Sequence, residues 1–175
     1  MLSVLESGNL PEFARGCALA FWIAADNHER VNGRVYTELQ VALPHELNQN
    51  QREILAREFT RELLGTRFAY TLAVHTSARK TPFEQSYLHL MFSERVITEL
   101  TRQIDSELFF KRNGARKDHS WNLRSRPQEV RVMWVNNLNR ALEQAGLKVR
   151  VDARSWAEQG RQDLSATLQS PFAHE

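Results

Sequence analysis

Two histidines and one glutamate are the residues of this sequence whose types and spacing best suit metal chemistry. The stretch from Tyr70 to Arg95 reads YTLAVHTSARKTPFEQSYLHLMFSER, two apolar alternating runs joined by a polar, proline-containing connection. Successive side chains of a strand point to opposite faces. His75 therefore shares a face with Ala69, Thr71 and Ala73, and His89 shares one with Tyr87 and Met91. If the two strands pair antiparallel, both imidazoles lie on the less apolar side of one sheet. A third strand reads RVYTELQVALP and ends at Pro44, with Tyr36, Glu38, Gln40 and Ala42 on its polar face. Two imidazoles and a carboxylate from neighbouring strands are ligands for Mg²⁺, Mn²⁺ or Zn²⁺. The spacing leaves a second interpretation open: one histidine packed in a core, one exposed, and a glutamate on a half-solvated sheet.

The elements that must hold these strands are partly explicit. Asn48 to Leu64 carries a capping signal, with Asn48 as cap and Gln51 reaching back, an apolar stripe at Ile54, Leu55, Phe59 and Leu63, and a glycine stop at Gly65. Ser125 to Ala145 has Ser125 as cap, Pro127 in the first turn, Gln128 completing a capping box, and a stripe at Val130, Met133, Trp134, Leu138, Ala141 and Leu142 that ends at Gly146. Ala18 to Arg30 predicts a helix with Phe21, Trp22 and Ala25 toward a core, and Asn32-Gly33 a turn. Glu94 to Leu108 predicts a short helix with Val96, Ile97, Leu100 and Ile104 inward, Lys148 to Val151 a short strand, and Asp152 to Gly160 a helical turn. Residues 1 to 14 show a Gly-Asn-Leu-Pro turn signal and little else.

With 175 residues the chain is most simply one domain, spanning 1–160, with 161–175 an unpatterned tail. Strands interspersed with helices, and hairpin-like neighbours, predict an α+β fold with a central antiparallel sheet. There is no long apolar run for a membrane helix and no secretory leader pattern. The single Cys17 excludes an internal disulfide and any cysteine cage for zinc. A cytoplasmic location follows as the expectation. Glycine-rich phosphate loops, Rossmann glycines, a GxSxG elbow and internal repeats are all lacking.

Net charge is only +2, yet Lys111 to Arg161 holds twelve Lys or Arg against five Asp or Glu. Of the 23 basic residues, 19 are arginine, whose planar fork suits phosphates and base edges. The run FKRNGARKDHSWNLRSR up to Arg126 mixes cations with aromatics and reads as a long surface loop. Such a mixture fits single-stranded nucleic acid, cations on phosphates and rings on bases. Arg112, Arg116, Lys117, Arg124 and Arg126 are the candidates for phosphate contact.

From about Ser7 to Gly160 the chain resembles the MobA/MobL family of plasmid mobilisation relaxases. The resemblance rests on FW-x-AAD-x-x-ER-x-NGR (Phe21 to Arg34), E-x-x-x-ALP-x-EL (Glu38 to Leu47), YTLAVH (Tyr70 to His75), HLMFSER (His89 to Arg95), the FFKRNGARK run, N-x-x-LEQAG (Asn139 to Gly146) and VDARS-x-x-x-QG (Val151 to Gly160). It implies an HUH-relaxase-like antiparallel sheet flanked by helices. It also implies strand cleavage at a transfer origin by tyrosine transesterification, with a divalent metal (Mn²⁺, Mg²⁺ or Zn²⁺) on histidines at His75 and His89 and Glu38 as carboxylate ligand or as a support behind the ligands. Partners implied are single-stranded or hairpin DNA of a plasmid transfer origin and accessory mobilisation proteins.

Departures accompany the resemblance. Tyr87 stands where a third histidine is expected, and Gln40 where close relatives have a carboxylate. The family's first strand and nucleophilic tyrosine are expected N-terminal to the matched residues, and the segment before Ser7 is too short for them. The proline and histidine of the closing motif are not evident in 161–175. Three functions follow as expectations: a relaxase-like domain lacking its nucleophile, a non-catalytic module that binds origin DNA, or an inactive remnant of a mobile element.

Overall fold

Four strands pair antiparallel in the order β1-β3-β4-β2. They are β1 (Leu2–Gly8), β2 (Thr37–Leu43), β3 (Tyr70–Thr76) and β4 (Ser86–Phe92). The structure, a computed structural model, describes residues 2–76, 85–154 and 159. The connection between β3 and β4, the turn expected after Asp152 and the 161–175 tail fall on residues outside these. The α+β class with a central antiparallel sheet is as expected.

One sheet face carries the greasy side of the alternation. Leu72, Val74, Leu88, Leu90, Phe92 and Leu43 are all buried there. Helices α2 (Gln49–Leu64) and α5 (Arg126–Gln144) contribute Leu55, Phe59, Leu138 and Leu142 to the same core. The Phe59 and Trp134 rings meet edge to face at 5.0 Å, so Trp134 is a packing residue. Helix α2 starts with the predicted capping box: Asn48 Oδ1 accepts from the Gln51 N–H at 2.9 Å, and the Gln51 side chain accepts from the Asn48 N–H at 2.9 Å. Gly65, with φ +54°, ends it; a side chain is disfavoured in that conformation. Ile54 departs from its predicted stripe and is exposed.

A second core joins α1 (Ala18–His28) to α4 (Ser106–Phe110). Phe13, Phe21, Phe109 and Phe110 form one aromatic cluster with centroids 5.0–6.4 Å apart. Each fully buried ring contributes roughly 1.5–3 kcal/mol.

The structure corrects several expectations. Residues 2–8 form an edge strand. Its alternation is weak, and pairing with β3 supplies what its side chains do not: Ser7 and Thr71 hydroxyls meet at 2.9 Å, and Ser3 donates to the Val74 carbonyl at 3.2 Å. Asn9 ends the strand at φ 56°, its amide donating to the Gly65 and Phe68 carbonyls. The single helix expected over 94–108 is two short ones, α3 (Glu99–Arg102) and α4, because Thr98 and Asp105 each cap a new start; Leu100 is 82% exposed. Ser125 makes no capping bond and is itself helical, φ −74° and ψ −23°. Lys148 to Val151 is not a strand; Val149 and Val151 are exposed, and no strand pairs with them among the described residues. The basic run after Phe109 is no simple surface loop, since Phe109, Phe110 and Ala115 are buried.

Gly114 makes that tight return possible. A Cβ there would lie 1.8 Å from the Leu108 carbonyl oxygen, a backbone atom that cannot swing away. Gly114→Ala is expected to lower stability by about 1–3 kcal/mol. The readout is the urea midpoint at unchanged m-value, and an unshifted midpoint would show that the turn repacks freely.

Candidate functional site

The less apolar sheet face carries a diagonal of three polar side chains, one from each of three strands. In β4, Tyr87 lies opposite His75 of β3 and Ala42 of β2, while His89 lies opposite Ala73 and Gln40, and Met91 opposite Thr71 and Glu38. Glu38, His89 and His75 thus step by one row per strand. The small Ala73 and Ala42 flank the diagonal. Helix α1 reaches the same face at Thr71, whose hydroxyl accepts from the Trp22 indole N–H at 3.0 Å.

The three predicted residues do converge. The His75 and His89 ring centroids are 4.7 Å apart. His89 Nδ1 lies 2.8 Å from Glu38 Oε1. An ionised carboxylate only accepts, so the nitrogen facing it, Nδ1, is the donor, and in the neutral ring the lone pair is on Nε2. His89 Nε2 is shielded from solvent and has no hydrogen-bond partner among the described residues. A carboxylate behind a histidine, with the other ring nitrogen free, is how proteins orient imidazole ligands. Burial, and after it the neighbouring His89, holds His75 below the ordinary imidazole range. At neutral pH His75 is therefore a neutral ring with an available lone pair.

This donor set suits a cation held by two imidazoles, His89 through Nε2 and His75 beside it. Glu38 is engaged on the far nitrogen of His89 and supports it from behind. No group of three or more His, Cys, Asp or Glu poised to hold a metal occurs among the described residues. Tyr87 does not extend the set by its ring, which stacks on His75 at 5.7 Å and 26°. Gln40, opposite His89, is exposed.

The cationic candidates divide into two groups. Arg112, Arg116 and Arg124 are exposed and form no ion pair among the described residues. Lys117 is committed inward: it pairs with Glu29 at 3.2 Å and donates to the Arg34 carbonyl. Arg126 lies over the Trp121 ring at 4.1 Å and pairs with Glu129 at 3.2 Å.

A buried charge cluster escaped sequence reasoning. Arg95 clamps Glu29 with two bonds of 3.0 and 2.9 Å, and the two side chains are 7% and 4% exposed. The same guanidinium donates to the carbonyls of Phe109, Phe110, Lys111 and Ala115. Next to it, buried Glu94 accepts from Arg34 at 2.5 Å and from Thr37 at 2.7 Å. The cluster ties α1, the end of β4 and the basic run into one unit. Charged residues recurring in both HER and SER were the available signal, but only the fold brings them together.

A family model described as the MobA/MobL family matches residues 4–171. The chain is 37% identical over 175 aligned residues to Mobilization protein A of Escherichia coli, covering 95% of this chain and 24% of that protein. It is 38% identical over 169 residues to a 43 kDa relaxation protein of Salmonella typhimurium, covering 89% of this chain and 45% of that one. Conjugal transfer protein TraA of Agrobacterium fabrum (strain C58) is 27% identical over 164 residues, covering 87% of this chain and 14% of TraA. The chain thus spans less than half the length of each of these curated relatives. A solved structure described as "Molecular Basis of Vancomycin Resistance Transfer in Staphylococcus aureus" matches with a TM-score of 0.66 at 26% identity, covering 89% of this chain and 77% of that one.

Proposed function

Because the chain belongs to the MobA/MobL family of plasmid mobilisation relaxases, we propose that its less apolar sheet face binds single-stranded DNA of a transfer origin beside a divalent metal held by His75 and His89. The observation that carries this is the Glu38–His89–His75 diagonal, with His89 Nδ1 on Glu38 and its Nε2 unpartnered among the described residues. When bound, such a metal supplies a Lewis acid for a phosphate oxygen. The chain's own residues do the rest. Glu38 fixes the tautomer of His89, burial keeps His75 neutral, and the exposed Arg112, Arg116 and Arg124 hold the strand by its phosphates.

No nucleophile is assigned among these residues. Tyr70 packs against the core and its hydroxyl is pushed up by burial, then by Glu6, and Tyr87 is stacked on His75. In this proposal the described residues bind and position the strand, and a transesterifying tyrosine is a separate requirement. A second reading, a DNA-binding module without metal, is favoured by Glu38 being engaged with His89 instead of standing free as a third ligand. Calorimetric titration of the metal-stripped chain with Mn²⁺ decides between them: one site per chain supports the metal centre, and no heat of binding overturns it.

The cationic part makes its own prediction. Arg124→Ala is expected to weaken binding of all single-stranded oligonucleotides alike. It should flatten the slope of log K against log salt by roughly 0.7–1. An unchanged slope in a salt series of anisotropy titrations would remove Arg124 from the contact surface.

There is no helix long and apolar enough to cross a membrane among the described residues. Accessory mobilisation proteins belong to the same proposal as partners.

A further inference from the structure

Of the three tyrosines, Tyr36 presents its ring to solvent, 47% exposed, while Tyr70 and Tyr87 are half-buried. It immediately precedes β2 and, by strand alternation, shares the face of Glu38 and Gln40. The ring is nevertheless braced. Trp22 of α1 stands nearly perpendicular to it, centroids 6.3 Å apart at 81°, and Trp22 is itself pinned to β3 through Thr71. An exposed aromatic braced by a neighbouring ring is preorganised to receive a flat ligand at little entropic cost.

Its position between two other features says what that ligand is. On one side, Lys117 donates to the carbonyl of Arg34, which brings the basic run, with exposed Arg116, to within two residues of Tyr36. On the other side, Glu38 and its partner His89 follow about 6.6 Å along the strand. We infer that Tyr36 is a base-stacking platform for single-stranded DNA, on a path from the basic run to the imidazole pair. This rests on the DNA-binding function proposed above and adds to it a subsite that reads bases, where the arginines read phosphates.

The test uses the full chain, a labelled oligo-dT strand and the same strand with abasic positions, followed by fluorescence anisotropy. Tyr36→Ala is expected to weaken oligo-dT binding roughly 5- to 150-fold, equivalent to about 1–3 kcal/mol for one stacked base. Tyr36→Phe is expected to bind like wild type and Tyr36→Leu like Tyr36→Ala. The salt slope stays the same in all four proteins, because no phosphate contact changes. Wild type is expected to prefer oligo-dT to the abasic strand, and Tyr36→Ala to lose that preference. Tyr36→Ala binding oligo-dT as tightly as wild type overturns the platform while leaving the DNA-binding function intact. Wild type failing to bind either strand overturns both.

Discussion

Glu29→Ala is expected to destabilise the fold by about 3–5 kcal/mol, the usual consequence of leaving a buried charge without its partner. Glu29 is met by two cations, Arg95 on both carboxylate oxygens and Lys117 on one. Without it both cations remain in a region that water hardly reaches. Arg95 cannot leave, because its guanidinium also satisfies backbone carbonyls from Phe109 to Ala115. For the same reason Glu29→Leu combined with Arg95→Met is expected to stay destabilised, although apolar replacement of a buried pair is often neutral. Urea midpoints measure both, and a loss below about 1 kcal/mol for Glu29→Ala would mean that the cluster is not a keystone.

The cluster also predicts the acid limb of stability. Burial alone would push the Glu29 carboxyl up, but the hydrogen bonds and charge of Arg95, with those of Lys117, outweigh it and hold it below the ordinary glutamate value. The folded carboxyl then binds its proton less readily than the unfolded one. Its contribution is complete above about pH 4.3, the unfolded value, and is lost as pH falls through the lower folded value. Asp118 has the same sign: burial opposes, and Ser120 and Arg67 prevail. A Glu29→Gln variant is expected to show a flatter fall in urea midpoint below pH 4.3 than wild type. Identical curves would place the acid sensitivity elsewhere.

His89→Ala is expected to abolish Mn²⁺ binding, while Glu38→Gln weakens it 10- to 100-fold. The two differ because His89 supplies the Nε2 lone pair itself, and Glu38 only fixes the proton on the opposite nitrogen. A glutamine retains a carbonyl acceptor for Nδ1–H but not the negative charge that strengthens the ring as a donor. Calorimetry on the metal-stripped proteins reads both. Equal, complete loss in the two variants would make Glu38 a direct ligand, and wild-type affinity in Glu38→Gln would leave it a surface residue. Affinity is also expected to fall at acid pH, where protons compete for the ligand nitrogens; burial makes His75 the weaker competitor for a proton, holding it below the ordinary imidazole range.

Which way each strand's side chains point can be read from residue order alone, because the side-chain period of two leaves no choice once a strand exists. His75, His89 and Glu38 were legible on their polar faces for this reason. The α2 cap was equally legible, since Asn48 and Gln51 are three residues apart and their bonds are local. How the strands align is set by contacts far apart in the chain. The register that sets His89 one row from both Glu38 and His75 depends on long-range pairing, and a slip by one residue would turn His89 to the other face. Strand β1 was invisible because its partner β3 lies more than sixty residues away. The short helices failed where capping competed with periodicity. The fate of the cations was likewise a matter of packing: Lys117 and Arg112 look alike in sequence, and the buried Glu29 removes one of them from the surface.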